Sequence, residues 1–306
     1  MTLVTTLAAS MLWRQRGLIE VEASERVALQ ARWTQQAVTE AAIIALQQDL
    51  RQGISDHLGE PWTVPLEQTP LGQVLMTDPP AGSERSFRAL LADAQAKFNL
   101  HNLHINGRSS PEDLESFRYL ASRVGLSASD AEAILALMVD STVQVDPQAM
   151  ATGASPRLVT IQRWSQLSGR GVSDEGLVRL EKAATLLPRR TPVNVNTAEP
   201  LVLSAILADV EADSVQRLIE VRRKTPFDSV SQVMAVLALD TAHPLAERIS
   251  VSSSFFELRV TIGASGLEST GRTLLERSAL GSRAVWHERI VNSGASLSSL
   301  RSLQAP

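Results

Sequence analysis

Residues 191–207 read TPVNVNTAEPLVLSAIL, and ADVEADSVQRLIEVRRKTPF carries the chain on to Phe227. Val193 and Val195 alternate with Asn194 and Asn196, the period of an extended arm that shows its apolar side chains on one face. Thr197 is placed to cap the helix that follows, and Glu199 and Pro200 suit its first turn. Leu201, Ala205 and Leu207, with Val202 and Ile206 beside them, give that helix a broad apolar stripe. The polar run Asp209 to Asp213 predicts a break, and Ser214 to about Lys224 a second helix. Pro226 ends it, with Phe227 folded back as an apolar plug. Asn194 and Asn196 read as struts that bond backbone at the arm rather than as ligands.

Helix, turn, helix and a closing Pro-Phe is the layout of a helix-hairpin-helix unit, in which a Gly-rich turn lets backbone N–H groups approach a phosphate. Here the turn is glycine-free and holds the carboxylates of Asp209, Glu211 and Asp213, which would repel a phosphate. Arg222, Arg223 and Lys224 argue the other way, although cations at a helix C-terminus are also what the helix dipole favours. A DNA-binding protein therefore stays as the alternative function. It would show duplex binding that weakens steeply with salt.

Outward from this stretch, 306 residues with a net charge of −4 exclude a polycation and leave room for two units. The chain is 44% apolar but only 4% aromatic, as in a mostly helical body rich in Ala, Leu and Val. It has no cysteine, which removes thiol catalysis, thiolate metal sites and disulfides together.

Thr2 to Trp13 is a short apolar run ended by Arg14 and Arg16. About 20 residues are needed to span a bilayer. The run is read either as the distal part of a longer hydrophobic helix or as the start of a soluble one. From Leu3 to Arg51 there is no proline, and a single long helix is expected, with Leu29 and Trp33, then Ile43, Leu46 and Leu50, as its apolar stripe. Gly53 stops it. DHLGEPW, residues 56–62, is expected to be an ordered loop anchored by Trp62. Arg85 to Asn99 is read as a strand. Glu112 to Val124, and a helix capped by Ser127 to Asp130 and running through Val139, form a first helical pair on the scale of the second. A Ser-capped helix is expected near Thr160 to Ser168, and another from Ser173 to Leu186. After Pro244, RISVSSSFFELRVTIG, LESTGRTLLERSA and SRAVWHERIV predict an antiparallel meander. The Ser-rich tail from Asn292 is expected to be disordered.

Catalytic chemistry finds no foothold. His101 and His104, with Asp93, could be imagined around a metal, but beside Asn99 and Asn102 they read as surface polar residues. WHERI lacks the spacing of a zinc-protease helix, and no Gly-rich phosphate loop occurs. Asp140, Asp146 and the Asp209 to Asp213 run could give oxygen ligands without EF-hand spacing, so calcium is an open alternative and no other cofactor is called for.

Three stretches, in order, carry a resemblance: Asp56 to Trp62, Lys97 to Leu103 with Asn99 and Asn102, and Thr191 to Pro200. With the long first helix and the closing meander, the chain resembles the minor pseudopilin K family of the type II secretion system. What this implies is an α+β, pilin-like fold: a long N-terminal helix on an antiparallel sheet, with a large all-α domain of helix-hairpin-helix or SAM-like kind inserted between strands. The boundaries expected are 1–52 for the helix, 53–98 and 246–291 for the β domain, 99–245 for the insert and 292–306 for the tail. The resemblance implies a non-enzymatic component at the tip of the pseudopilus that starts and caps filament assembly. It further implies anchoring in the inner membrane with a periplasmic body, minor pseudopilins I and J and major pseudopilin G as partners, the secretin or secreted cargo as further ones, and no nucleic acid. Leu3, Leu7, Met11, Leu18, Val21, Leu29 and Trp33 become the partner-binding residues of the helix. Trp62, Asn99, Asn102, Asn194, Asn196, Thr197, Pro226 and Phe227 become the structural motif. Three features depart from the family: only the distal part of the expected leader and apolar segment is in this sequence; Arg14 and Arg16 would lie at the periplasmic exit of the helix, against the positive-inside tendency; and the Asp-rich stretch is reduced to VDSTVQVD (residues 139–146), with the disulfide of some relatives excluded.

Overall fold

A computed structural model describes residues 25, 29, 32–66, 85–105, 108–142, 161–264 and 267–290. The readings of Leu3, Leu7, Met11, Leu18, Val21, Asp146 and the tail lie outside them. The chain forms two compact units: one takes in residues up to 49, 61–92 and 257 onward, the other 50–60 and 93–256.

In the first unit, helix α1 covers 32–52 and ends where Gly53 begins the loop. The sheet has the order β1 (Arg85–Asp93), β8 (Phe255–Ala264), β9 (Leu267–Ser278) and β10 (Gly281–Ile290) among the described residues. β10 runs antiparallel to β9, with a bulge between Ala284 and Trp286. The helix buries Val38, Ala42 and Leu46, one line at i, i+4 and i+8. Of the stripe expected from sequence, Leu46 is buried, whereas Leu29, Trp33 and Leu50 are exposed. Polar ties decide which face turns inward. Gln35 bonds the His287 ring, and Arg277 on β9 bonds Asp49 at 2.8 Å, both groups of that pair being nearly buried. Gly271 lies so close to the helix that a Cβ there would overlap the Gln35 amide. Trp62, in a 3-10 turn over Pro61–Thr63, is buried as the loop reading expected.

The expected strand Arg85 to Asn99 is split. β1 stops at Asp93 because its carboxylate accepts the Gln95 N–H at 2.7 Å and caps a 3-10 turn, Ala94–Ala96. In the second unit β2 (Phe98–Asn99), β3 (His104–Ile105) and β4 (Arg108–Ser109) follow as two-residue pieces. Helix α2, Pro111–Arg123, starts on Ser110, whose hydroxyl accepts the Asp113 N–H. Gly125, at φ 70°, then turns the chain where a side chain would be strained. Ser127 caps α3, Ala128–Thr142, by accepting the Asp130 N–H at 3.0 Å.

Residues 161–168 contain no α-helix. The expected helix is reduced to a 3-10 turn, Trp164–Gln166, because the Gln166 side chain takes the N–H groups of Gln162 and Arg163 and closes the turn on itself. α4 begins on the Ser173 cap but covers Asp174–Leu180 rather than reaching Leu186. It stops because Ala184–Thr185, β5, pairs in parallel with β2. β6 (Val193–Asn194), α5 (Pro200–Ile206), α6 (Ala212–Lys224), α7 (Val230–Val236) and β7 (Ile249–Ser250) complete the unit. One continuous core holds it together, with Phe98, Phe117, Ile134, Leu180, Leu203, Leu218, Phe227 and Met234 all buried.

Asp130 joins α3 to α4. It accepts from both the N–H and the hydroxyl of Ser173, and that hydroxyl accepts the Gly176 N–H. A Cβ on Gly176 would stand 2.6 Å from the Asp130 carboxylate and 2.8 Å from the Ser173 hydroxyl. Gly176→Ala is therefore expected to destabilise the unit by about 1–3 kcal/mol through overpacking, although alanine is the better helix former. Urea denaturation checks this, and an unchanged midpoint would refute the crowding.

Candidate functional site

The arm predicted from TPVNVNT is extended, and β6 pairs in parallel with β7, Val193 beside Ile249 and Asn194 beside Ser250. Four buried asparagines complete the pairing that such short strands cannot. A primary amide offers one donor side and one acceptor, so it can take a peptide group's place. Asn196 accepts the Phe227 N–H and donates to the Phe227 carbonyl, both at 2.9 Å, which locks the plug after Pro226. Asn102 does the same with Thr191, at 3.1 and 2.8 Å. Asn99 accepts from His101 and Leu187 and donates to Arg189 O and Thr191. Asn194 accepts the Asn196 N–H and donates to Asp56 O, Asp93 and Ser253.

Thr197 does not cap α5. Glu199 precedes proline, which disfavours helical backbone, and it stands at φ −66°, ψ 153° as the N-cap. The freed Thr197 hydroxyl donates instead to Asp93 at 2.5 Å. Asp93 also accepts from the Ser253 hydroxyl at 2.7 Å, and the Ser253 N–H donates to Asp56 at 2.6 Å. Asp56 in turn donates its N–H to Val251 O. The DHLGEPW loop, the end of β1, the arm and the serine run thus meet in one buried polar hub. Burial pushes the Asp93 carboxyl from its ordinary 3.8 up to about 6, against the lowering effect of its hydrogen bonds and with a smaller push from Asp56. Sequence reading missed this role, yet the signal was there. Phe87, Ala89 and Leu91 alternate inward, and the same period carries Asp93 inward.

Two further readings are corrected. His101 is buried, not a surface residue, and its Nε2 donates to Ile161 O at 2.7 Å. Desolvation lowers its pKa, opposed by that carbonyl, and desolvation also lowers that of His104. Arg222 is not a loose surface cation: its Nη1 donates to Val195 O and Ala198 O, both at 2.6 Å, holding the arm's turn. The carboxylates of Asp209 and Glu211 in the glycine-free turn, and of Asp213 in the first turn of α6, are exposed. The charge pattern there does not suit a phosphate.

On α1 the line opposite Val38, Ala42 and Leu46 carries Trp33 and Ile44, which are 64% and 56% exposed, and Leu29 before it is 54% exposed. Successive residues step by about 100° around a helix, so Trp33 and Ile44 fall within one narrow stripe. A helix apolar on two opposite faces has one face left to bury. Among the described residues no helix is long and apolar enough to cross a membrane.

A family model described as type II secretion system, protein K, matches residues 193–252, the span from the arm to the serine run. The chain is similar to type II secretion system protein K of Pseudomonas aeruginosa strain PAO1, with 26% identity over 245 residues that cover 74% of this chain and 70% of that protein. Its fold is similar to a chain of the GspK–GspI–GspJ complex of the type 2 secretion system of enterotoxigenic Escherichia coli, with a TM-score of 0.62 at 23% identity, covering 88% of this chain and 99% of that one. Sequence and architecture together, mixed helix and antiparallel sheet included, make the chain similar to type II secretion system protein K.

Proposed function

We propose that this protein is a non-enzymatic minor pseudopilin that starts and caps the pseudopilus tip, joining pseudopilins I and J above the major pseudopilin G and meeting the secretin or cargo. In this reading the inner membrane holds the N-terminal helix in a single pass and the body lies in the periplasm. The observation that carries it is the second apolar face of α1, Trp33 and Ile44, set opposite the face already packed on the sheet, with Leu29 exposed before it. Partner helices of matching apolar character would cover it, and burial of a tryptophan anchor supplies much of the affinity of such contacts. In this reading the inserted helical domain would prevent a further subunit from stacking above it, a terminal position by steric exclusion. Leu3, Leu7, Met11, Leu18 and Val21 extend the same partner-binding role toward the membrane.

The test is association of the soluble body with the soluble regions of pseudopilins I and J. Trp33→Ala is expected to weaken the complex by about 30-fold or more, the scale of a hot-spot truncation, while leaving the unfolding midpoint unchanged. Isothermal titration shows the loss. A complex of undiminished affinity would remove α1 as the docking face, and no complex with either partner would remove the pseudopilin assignment.

A further inference from the structure

Between Trp33 and Ile44 the exposed line of α1 carries one charge. Glu40 stands seven residues after Trp33 and four before Ile44, and at about 100° per residue it falls between them around the helix as well as along it. It is exposed, and among the described residues it makes neither an ion pair nor a side-chain hydrogen bond. Its helical neighbours at three and four residues are Gln36, Ala37, Ile43 and Ile44, so no cation stands where an intrahelical pair would need one. The other acid of α1, Asp49, is already held by Arg277 on β9 at 2.8 Å. One carboxylate of the helix thus serves the sheet, and the other faces outward without a partner.

A solvated carboxylate on a helix is ordinary, but this one interrupts an apolar line. Trp33 and Ile44 are about 16 Å apart along the axis, so a helix that covers both must cross Glu40 on the way. Crossing removes its water, and a desolvated carboxylate is costly unless a cation takes the water's place. The apolar residues fix where the partner lies, and the charge fixes what that partner must carry. A copy of this chain laid parallel and in register would set Glu40 against Glu40, which like-charge repulsion disfavours.

We propose that the helix docking on α1 belongs to a different chain and presents a lysine or arginine level with Glu40. Apolar residues of that helix cover Trp33, about 10 Å to one side, and Ile44, about 6 Å to the other. The assignment rests on the reading of α1 as the docking face and adds the chemistry by which a partner is chosen. Trp33 and Ile44 supply an attraction that any apolar helix shares. Glu40 sets the register and rejects a helix that is acidic or uncharged at that level.

The test is titration of the full chain with the soluble regions of pseudopilins I and J. Glu40→Gln keeps the size of the side chain and is expected to weaken binding about 30-fold, and Glu40→Lys about tenfold more. Neither is expected to move the unfolding midpoint, since the residue is exposed and all three side chains suit a helix. Substituting each Lys and Arg of the bound partner helix by Glu is expected to find one position that restores binding to Glu40→Lys while weakening binding to the unmodified chain. If Trp33→Ala weakens the complex while both Glu40 variants bind as tightly as the unmodified chain, the docking face stands and the cationic partner is overturned. If no complex forms, or if it forms indifferent to Trp33 as well as to Glu40, the docking face falls and this assignment with it. Sedimentation of the chain alone gives the last arm: a dimer that Trp33→Ala dissociates would give the face to a second copy and overturn the proposal.

Discussion

Arg248→Ala is expected to destabilise the helical unit by about 3–5 kcal/mol, the scale of breaking a buried ion pair from one side. Arg248 pairs with Asp113 at 3.2 Å, and the side chains are only 11% and 2% exposed. Its Nη2 donates to the Ser116 hydroxyl at 2.6 Å and to Glu112 O, and its Nη1 to Ile206 O. The Ser116 hydroxyl goes on to Ala205 O at 2.8 Å, so one guanidinium fastens α2, α5 and the residue before β7. Without it Asp113 keeps only Arg190, itself 40% exposed and thus screened by water. Arg248→Lys is expected to recover little, because a point charge cannot serve four acceptors held in a fork. Urea unfolding followed by circular dichroism checks both. A loss below about 1 kcal/mol for the alanine variant would mean that the pair repays only its own desolvation.

The second large effect is expected at Asn194. It is fully buried, and its one amide satisfies groups from four separate segments. Asn194→Ala leaves the Asn196 N–H and Asp56 O without this partner and takes a donor from Asp93, for an expected loss of about 3–5 kcal/mol at about 1–3 kcal/mol per orphaned group. Asn194→Asp is the sharper variant. It is nearly the same shape but brings a third carboxylate to Asp93 and Asp56 and has no N–H to give, so it is expected to cost more than alanine. Thermal unfolding compares the two, and equal midpoints would show that volume rather than hydrogen-bond polarity sets the hub's stability.

The two kinds of residue differed in how far the sequence exposed them. The arm declared itself as extended because its alternation is local, but valine and asparagine at period two did not say which side chains go inward, since Val193, Asn194, Val195 and Asn196 are all buried. The sheet strands after Pro244 were legible for the same reason. Helix ends and polar partners were not, since they depend on chain far away. Thr197 had the chemistry of a cap, but Pro200 moved the helix start and Asp93, 104 residues distant, took its hydroxyl. His101 gave no sign of burial because its partner is Ile161 O, 60 residues on. The helix expected to reach Leu186 lost its last turns to pairing with Phe98 and Asn99. On α1 the spacing identified apolar residues correctly but could not say which of two faces the sheet would claim. Val38, Ala42 and Leu46 won that place, leaving Leu29 and Trp33 outside.

The direct bond between Asp93 and Ser253 also bears on the order of events during synthesis. β1 leaves the ribosome well before its neighbour β8, and a pairing across so long an intervening stretch is slow for an open chain. Once the helical unit has folded, its own hub holds those two ends within one hydrogen bond of each other, so closing the sheet no longer requires a search through a large loop. The insert would then act as a template, and the sheet would be the last part to form. A nascent chain stalled before β8 is expected to hold a native helical unit with β1 still unpaired, an edge that needs protection until the remaining strands arrive.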